Sequence, residues 1–332
     1  MKADTITIVR APGRFLAKRI GADGTVRPAE KAFRVDLTEV SIYDLTALRD
    51  LLRALAGEWW SAVVRGGIVD PARTRGVRRL IHPDGIDMPT LCERPRLWLA
   101  NDVDSLPCRA EMNRRDLEAC ARIAVAALPA EFHGVRCIIQ ATGSHGIKPG
   151  IRVRLWHWLD RPVSGAELKR WFRRSPVDHA VFSACQLIFT AAPIFLDRSD
   201  HLPARMAEVP GEPVVRAPPV AALAPPPPRR PQPLPYFATS AEAQSYAQAA
   251  LVRAAQCIMG AVEGERHRTL IRTCCGLTPL LRAGALAEPI AREVVRRATE
   301  AAGWSDPDKI ESAISWAFAR PSEDPFPEIG DA

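Results

Sequence analysis

Asp102 and Asp104 stand one residue apart at the end of an apolar run, Leu97-Trp-Leu-Ala-Asn-Asp-Val-Asp104. On a β-strand successive side chains alternate between faces. Both carboxylates therefore point one way, and Leu99 and Val103 the other. Side by side they repel unless a cation lies between them. Hard oxygen donors of this kind suit Mg²⁺ or Mn²⁺, and paired carboxylates on a buried strand can hold the ions of nucleotidyl transfer. A plainer reading stays open, in which the strand ends in a polar turn and both aspartates are turn residues. On the first reading an Asp102→Ala substitution spares the fold, because an acidic cluster without its cation is self-repulsive.

Two later segments carry further reactive side chains. The first runs Ser144-His-Gly-Ile-Lys-Pro-Gly-Ile-Arg-Val-Arg-Leu-Trp-His157. Gly146 and Gly150 permit tight turns, with Lys148 between them. Arg152 and Arg154 share one strand face. A lysine, two arginines and exposed backbone N–H groups could hold a triphosphate, or could form a hairpin loop with a solvated basic strand. Trp156 and Trp158 lie on the arginine face, as base-stacking platforms or as core. The second segment is Val177-Asp178, ahead of the apolar stretch His179 to Phe189. Asp178 is either a further acidic ligand or a cap. Asp160, Asp197 and Asp200 read as turn residues.

The elements that must position these groups follow from periodicity. Residues 5–9, 33–37, 60–64, 97–104, 135–141 and 151–159 read as strands. Residues 44–55 show apolar Leu45, Leu48, Leu51, Leu52 and Leu55 at helical spacing. Residues 115–128 and 165–173 read as helices, the latter capped by Ser164. The order suggests an α+β fold, with a mixed or antiparallel sheet and helices on one face. Eleven prolines among residues 208–235 block helix and favour polyproline II. A linker is therefore expected over 208–238, after a first domain of 1–207. Beyond it the pattern turns all-helical. Thr239-Ser-Ala-Glu242 reads as a capping box, and four helices form a small bundle over 239–320. Residues 321–332 form an acidic tail.

The chain has 332 residues and a formal charge of +7. Residues 208–238 carry +1, residues 239–320 carry +1 and the tail −4, so about +9 falls on residues 1–207. The half with the aspartate pair is the basic half, as a polyanionic substrate requires. The eight cysteines form no C-x-x-C pair and have no histidine at zinc-finger spacing. Reduced cysteines and the lack of a signal-like N-terminus lead to a cytoplasmic expectation. No uncharged run is long enough to span a membrane. There is no G-x-x-x-x-G-K-[ST] motif, so no P-loop motor is encoded.

Taken in order, these segments resemble the archaeo-eukaryotic primase superfamily, the primase-polymerases. That family carries an h-D-h-D strand, a strand motif S-x-H, and a later h-D. Asn101-Asp-Val-Asp104 matches the first and Val177-Asp178 the third. The second falls on Arg152-Val-Arg154, with arginines where the family has serine and histidine; His145 and His157 lie nearby. Val64-Arg-Gly-Gly67, Gly146-Ile-Lys-Pro-Gly150 and Leu155-Trp-His-Trp-Leu-Asp-Arg-Pro162 look like primase-polymerases of phages, plasmids and integrated elements. Glu265-Arg-His-Arg-Thr-Leu270 resembles the helical domain that follows many primase cores.

The resemblance implies a DNA primase or primase-polymerase of a mobile element. Asp102, Asp104 and Asp178 would hold Mg²⁺ or Mn²⁺. Ser144, His145, Lys148, Arg152, Arg154 and His157 would form the nucleotide-binding set. Single-stranded DNA and nucleoside triphosphates would be its substrates, with a separate helicase and replication proteins as partners. Two alternatives remain: an inactive primase-like nucleic-acid-binding protein, and a metal-dependent nuclease.

Overall fold

A computed structural model describes residues 3–109, 111–225, 240–261, 266–304 and 306–319. The chain divides into two compact units, Met1–Pro225 and Pro226–Ala332. In the first unit the longer strands are β1 (Asp4–Arg10), β2 (Asp36–Ile42), β3 (Ser61–Val64), β4 (Arg96–Leu106), β5 (Cys137–Ala141), β6 (Ile151–Val163) and β7 (Met206–Val209). Its helices are α1 (Leu45–Ala56), α2 (Leu117–Ala126) and α3 (Gly165–Trp171).

These strands form two antiparallel sheets, of order β2-β1-β3 and β7-β5-β6-β4. The fold is α+β with antiparallel sheets, as the strand and helix patterns suggest. The strand expected at 33–37 runs instead from Asp36 to Ile42, where all seven residues pair with β1. Pairing across the sheet, not the local pattern, sets its ends.

Local chemistry explains the helices. Asp44 caps α1 by accepting the Ala47 N–H at 2.7 Å, and Leu45, Leu48, Leu52 and Leu55 form its buried stripe. Ser164 and Glu167 make a reciprocal capping box on α3. One apolar core joins Ile6 and Ile8 of β1, Leu48 and Leu52 of α1, Leu99 and Val103 of β4, and Leu155 of β6. Each such side chain, fully buried, contributes about 1.5–3 kcal/mol.

The first unit runs further than the proline composition suggests. Glu208 and Val209 belong to β7, paired with β5. The Arg136 N–H donates to the Glu212 carbonyl, and the Val215 N–H to the Trp158 carbonyl, both at 2.8 Å. Val215 is fully buried, Leu223 is nearly so, and Arg170 donates to the Leu223 carbonyl. Residues 208–225 are thus part of the first unit. Proline density misleads here because β7 itself holds no proline, and Pro210, Pro213, Pro218 and Pro219 lie between residues that bond to the sheet or are buried. The polyproline expectation for 226–238, Thr239 of the capping box, Glu265, and the tail at 321–332 fall outside the described residues.

In the second unit α4 (Ser240–Met259), α5 (Arg266–Arg282), α6 (Glu288–Ala301) and α7 (Pro307–Phe318) pack around Leu251, Leu270, Cys274, Val295 and Ile314. Asp306 caps α7 by accepting the Lys309 N–H at 3.2 Å. All eight cysteines are free thiols. No helix among the described residues is long and apolar enough to cross a membrane.

Candidate active site

The β4–β6 pair builds the site. Its register sets Arg154 opposite Asp102, and β5 sets Gln140 on the other side of Arg154. The Arg154 Nη2 donates to Asp102 Oδ2 at 2.6 Å, and its Nη1 donates to the Phe189 carbonyl. Only 6% of the Arg154 side chain is exposed. Gln140 is also occupied: its amide donates to the Thr190 carbonyl at 2.8 Å, and its carbonyl oxygen accepts the Trp156 indole N–H at 3.2 Å.

One step along, the ladder is irregular. Ile151 pairs with Leu106 and Val153 with Val103. Asp104 and Ser105 therefore both face Arg152, a β-bulge. Ser105 adopts a positive φ of 64° there. Arg152 uses the bulge fully, donating to the Asp104 carboxylate and to the Ser105 hydroxyl. Gly150, at φ 76°, lies against this turn; a Cβ would sit 2.9 Å from the Leu106 carbonyl oxygen. Only glycine combines that backbone conformation with that approach.

Asp178 reaches the same place from a distant segment. Its backbone N–H donates to the Asp102 carbonyl at 2.9 Å. Its Oδ1 accepts the Ala180 N–H at 2.8 Å, capping a short 3₁₀ turn. Asp102, Asp104, Asp178, Gln140, Arg154 and Lys18 all line one cleft of about 350 Å³. Carboxylates 74 residues apart in sequence thus share one opening.

The other candidates divide. Ser144 is buried beside the cleft and accepts a long hydrogen bond from the Lys18 ammonium at 3.5 Å. His145 is a buried pin: its Nδ1 accepts the Arg152 backbone N–H at 3.1 Å, and its Nε2 donates to the Arg114 carbonyl at 2.7 Å. Burial lowers its pKa, which suits a neutral acceptor. It positions Arg152 and does not line the cleft. Lys148 is exposed on the loop and does not line it either.

His157 has no place in the site. It is wholly buried on the opposite strand face, edge-on to Phe132 with ring centroids 4.9 Å apart. Burial pushes its pKa down to about 3. Trp156 and Trp158 are buried core residues, not stacking platforms, and Trp156 packs on Trp98. Asp160 accepts the Ala217 N–H, and Asp200 pairs with Arg205, both away from the cleft.

Lys18 is the residue that sequence reasoning missed. It sits in Phe15-Leu-Ala-Lys-Arg-Ile20, where no motif or periodicity marks it. Burial lowers its pKa, while the charges of Asp104 and Asp102 act to raise it.

The expected Mg²⁺ or Mn²⁺ can be tested against this arrangement. The donor chemistry is suitable, since each of the three carboxylates is a hard oxygen donor. The placement is not. Asp102 and Asp104 are each engaged by an arginine, and Asp178 is engaged as a cap. No group of three His, Cys, Asp or Glu among the described residues is spaced to hold an ion. As placed, the residues form an arginine–carboxylate ladder and do not fit a metal centre.

No family model and no curated protein matches the chain. A solved structure described as the crystal structure of primase RepB' aligns over 97% of this chain and 96% of that chain, at 11% identity and a TM-score of 0.25. A likeness at that TM-score carries no argument about function.

Proposed function

We propose that the cleft binds a nucleoside triphosphate and that the chain is a primase-like nucleotidyltransferase acting on single-stranded DNA. The observation that carries this reading is the gathering of Asp102, Asp104 and Asp178 with Lys18 and Arg154 around one cleft. These carboxylates come from the h-D-h-D and h-D segments, whose order resembles the primase-polymerases. Cations and acids together suit a ligand that brings both phosphate and a reacting hydroxyl.

The chain's own residues have definable tasks. A guanidinium holds phosphate through two parallel hydrogen bonds. An incoming triphosphate therefore competes with Asp102 for Arg154, while Arg152, held by Asp104, does not line the cleft. That exchange leaves the Asp102 carboxylate without its arginine. His145 keeps the Arg152 backbone in register throughout. The cytoplasm, a mobile-element origin and a separate helicase belong to the same reading.

The test is primer synthesis. The full chain is incubated with single-stranded DNA, labelled nucleotides, and either Mg²⁺ or Mn²⁺. Extended products that need both triphosphate and a divalent ion support the reading. A second reading, an inactive nucleic-acid-binding protein, draws on one observation: arginines already neutralise two of the three acids. It predicts triphosphate binding without products. Degradation of the DNA without triphosphate would mark a nuclease instead.

A further inference from the structure

Cations around the cleft differ in what they have already bound. Arg154 and Arg152 are committed to Asp102 and Asp104. Lys18 forms no ion pair within 4 Å among the described residues, and its ammonium has only the 3.5 Å contact to the Ser144 hydroxyl. An ammonium is a compact point charge with three donors. Three donors facing a cleft, with one long bond between them, leave capacity for an anion. Burial lowers its pKa, and the nearby Asp104 and Asp102 charges act against that shift.

The lysine's seat is built by an absent side chain. The Lys18 stem lies directly on the Cα of Gly143. A Cβ there would stand 3.0 Å from Lys18 Cδ, 3.1 Å from its Cβ and 3.3 Å from its Cγ. Gly143 does not have a positive φ, so its backbone does not demand glycine. The lysine stem fills that space, and a methyl group there would push it by a few tenths of an ångström.

We propose that Lys18 is a substrate-binding residue whose ammonium contacts the polyphosphate of the incoming nucleotide, seated there by the missing side chain of Gly143. The inference rests on the reading of the cleft as a triphosphate site, and deepens it. Lys18 meets the phosphates first. Arg154 follows only as it leaves Asp102.

The experiment uses the full chain, with inorganic tripolyphosphate and thymidine triphosphate as probes in calorimetric titration. Lys18→Met keeps the stem and removes the charge. It is expected to weaken binding of both probes at least about tenfold, with single-stranded DNA affinity changed less than about twofold and the melting temperature unchanged. Lys18→Arg should restore part of the loss. Gly143→Ala keeps the lysine but displaces its stem, and should weaken both probes in the same direction. Unmodified protein that binds neither probe overturns the reading of the cleft, and this inference with it. Unmodified protein that binds them as tightly as Lys18→Met overturns this inference alone. Equal losses of probe and DNA affinity also overturn it, since they would mark general charge attraction.

Discussion

The two faces of the β4–β6 pair treat polar residues in opposite ways. On the cleft face Asp102 meets Arg154, and Asp104 meets Arg152. On the other face Asn101 and His157 are wholly buried, and none of their side-chain nitrogens or oxygens has a hydrogen-bond partner. Strand alternation alone separates Asn101 from Asp102, and His157 from Arg154. A paired charge at a cleft mouth remains exchangeable with a ligand. An unpaired polar group in a core only costs stability, about 1–3 kcal/mol for each group left unsatisfied. Exchange with a ligand is therefore open to the paired face, and the unpaired groups on the other are a structural liability that the apolar core must offset.

The largest expected effect breaks the cleft face. Asp102→Ala should abolish primer synthesis. It should also destabilise the protein by up to about 3 kcal/mol, because it leaves a nearly buried guanidinium without its carboxylate. This revises the expectation that the fold is spared: Asp102 is paired, not repelled. Urea unfolding of Asp102→Ala, Arg154→Met and the double variant measures the coupling. The double variant should recover most of the stability and none of the synthesis. An Asp102→Ala midpoint equal to that of the unmodified protein would contradict the pairing.

The core face should respond to pH. Burial lowers the folded-state pKa of His157 to about 3, while an unfolded histidine titrates near 6.5. Between those values the unfolded state binds the extra proton. Stability is thus fully present above about pH 6.5 and declines as pH falls toward 3, by several kcal/mol in all. His145 and His201 are also lowered by burial and act in the same direction. In unfolding curves at pH 7, 5 and 4, His157→Leu should flatten most of the decline and raise stability at pH 7 by about 1 kcal/mol. A variant with the original slope would show that His157 is solvated.

The frame shared by both faces can be tested by truncation. A fragment ending at 207 loses Val215, whose N–H bonds to the Trp158 carbonyl of β6, and loses buried Leu223. It should be less stable than a fragment ending at 225 by about 3–6 kcal/mol, from two buried side chains. Equal melting curves would return the boundary to 207.

The smallest effect separates charge from geometry on the cleft face. Arg154→Lys keeps the charge but loses the planar fork. It should raise the nucleotide KM about tenfold and leave template affinity unchanged. An unchanged KM would remove Arg154 from the nucleotide's path.

Several parts of this protein were legible in its residues because they depend on neighbours in sequence. The α1 stripe, the Ser164 cap and the alternation that groups Asp102 with Asp104 are local matters, set by helical and strand periods. Alternation likewise put Arg152 beside Arg154. The same rule set His157 on the other face, but burial was needed to show that this face is a sealed core.

What only the tertiary structure decided is long-range. The register that sets Arg154 against Asp102 and the bulge that turns Asp104 and Ser105 toward Arg152 depend on how β6 returns from the Gly150 loop. The arrival of Asp178 at the Asp102 carbonyl, and of Lys18 over Gly143, joins residues far apart in the chain. Residues 208–225 read as linker because proline content is a local signal, whereas their burial is a property of the sheet edge they cover. Sequence by itself determined the residue types and the local periods. Which charge meets which was decided by strand pairing, because a hydrogen-bonded register is a relation between two segments and neither contains it alone.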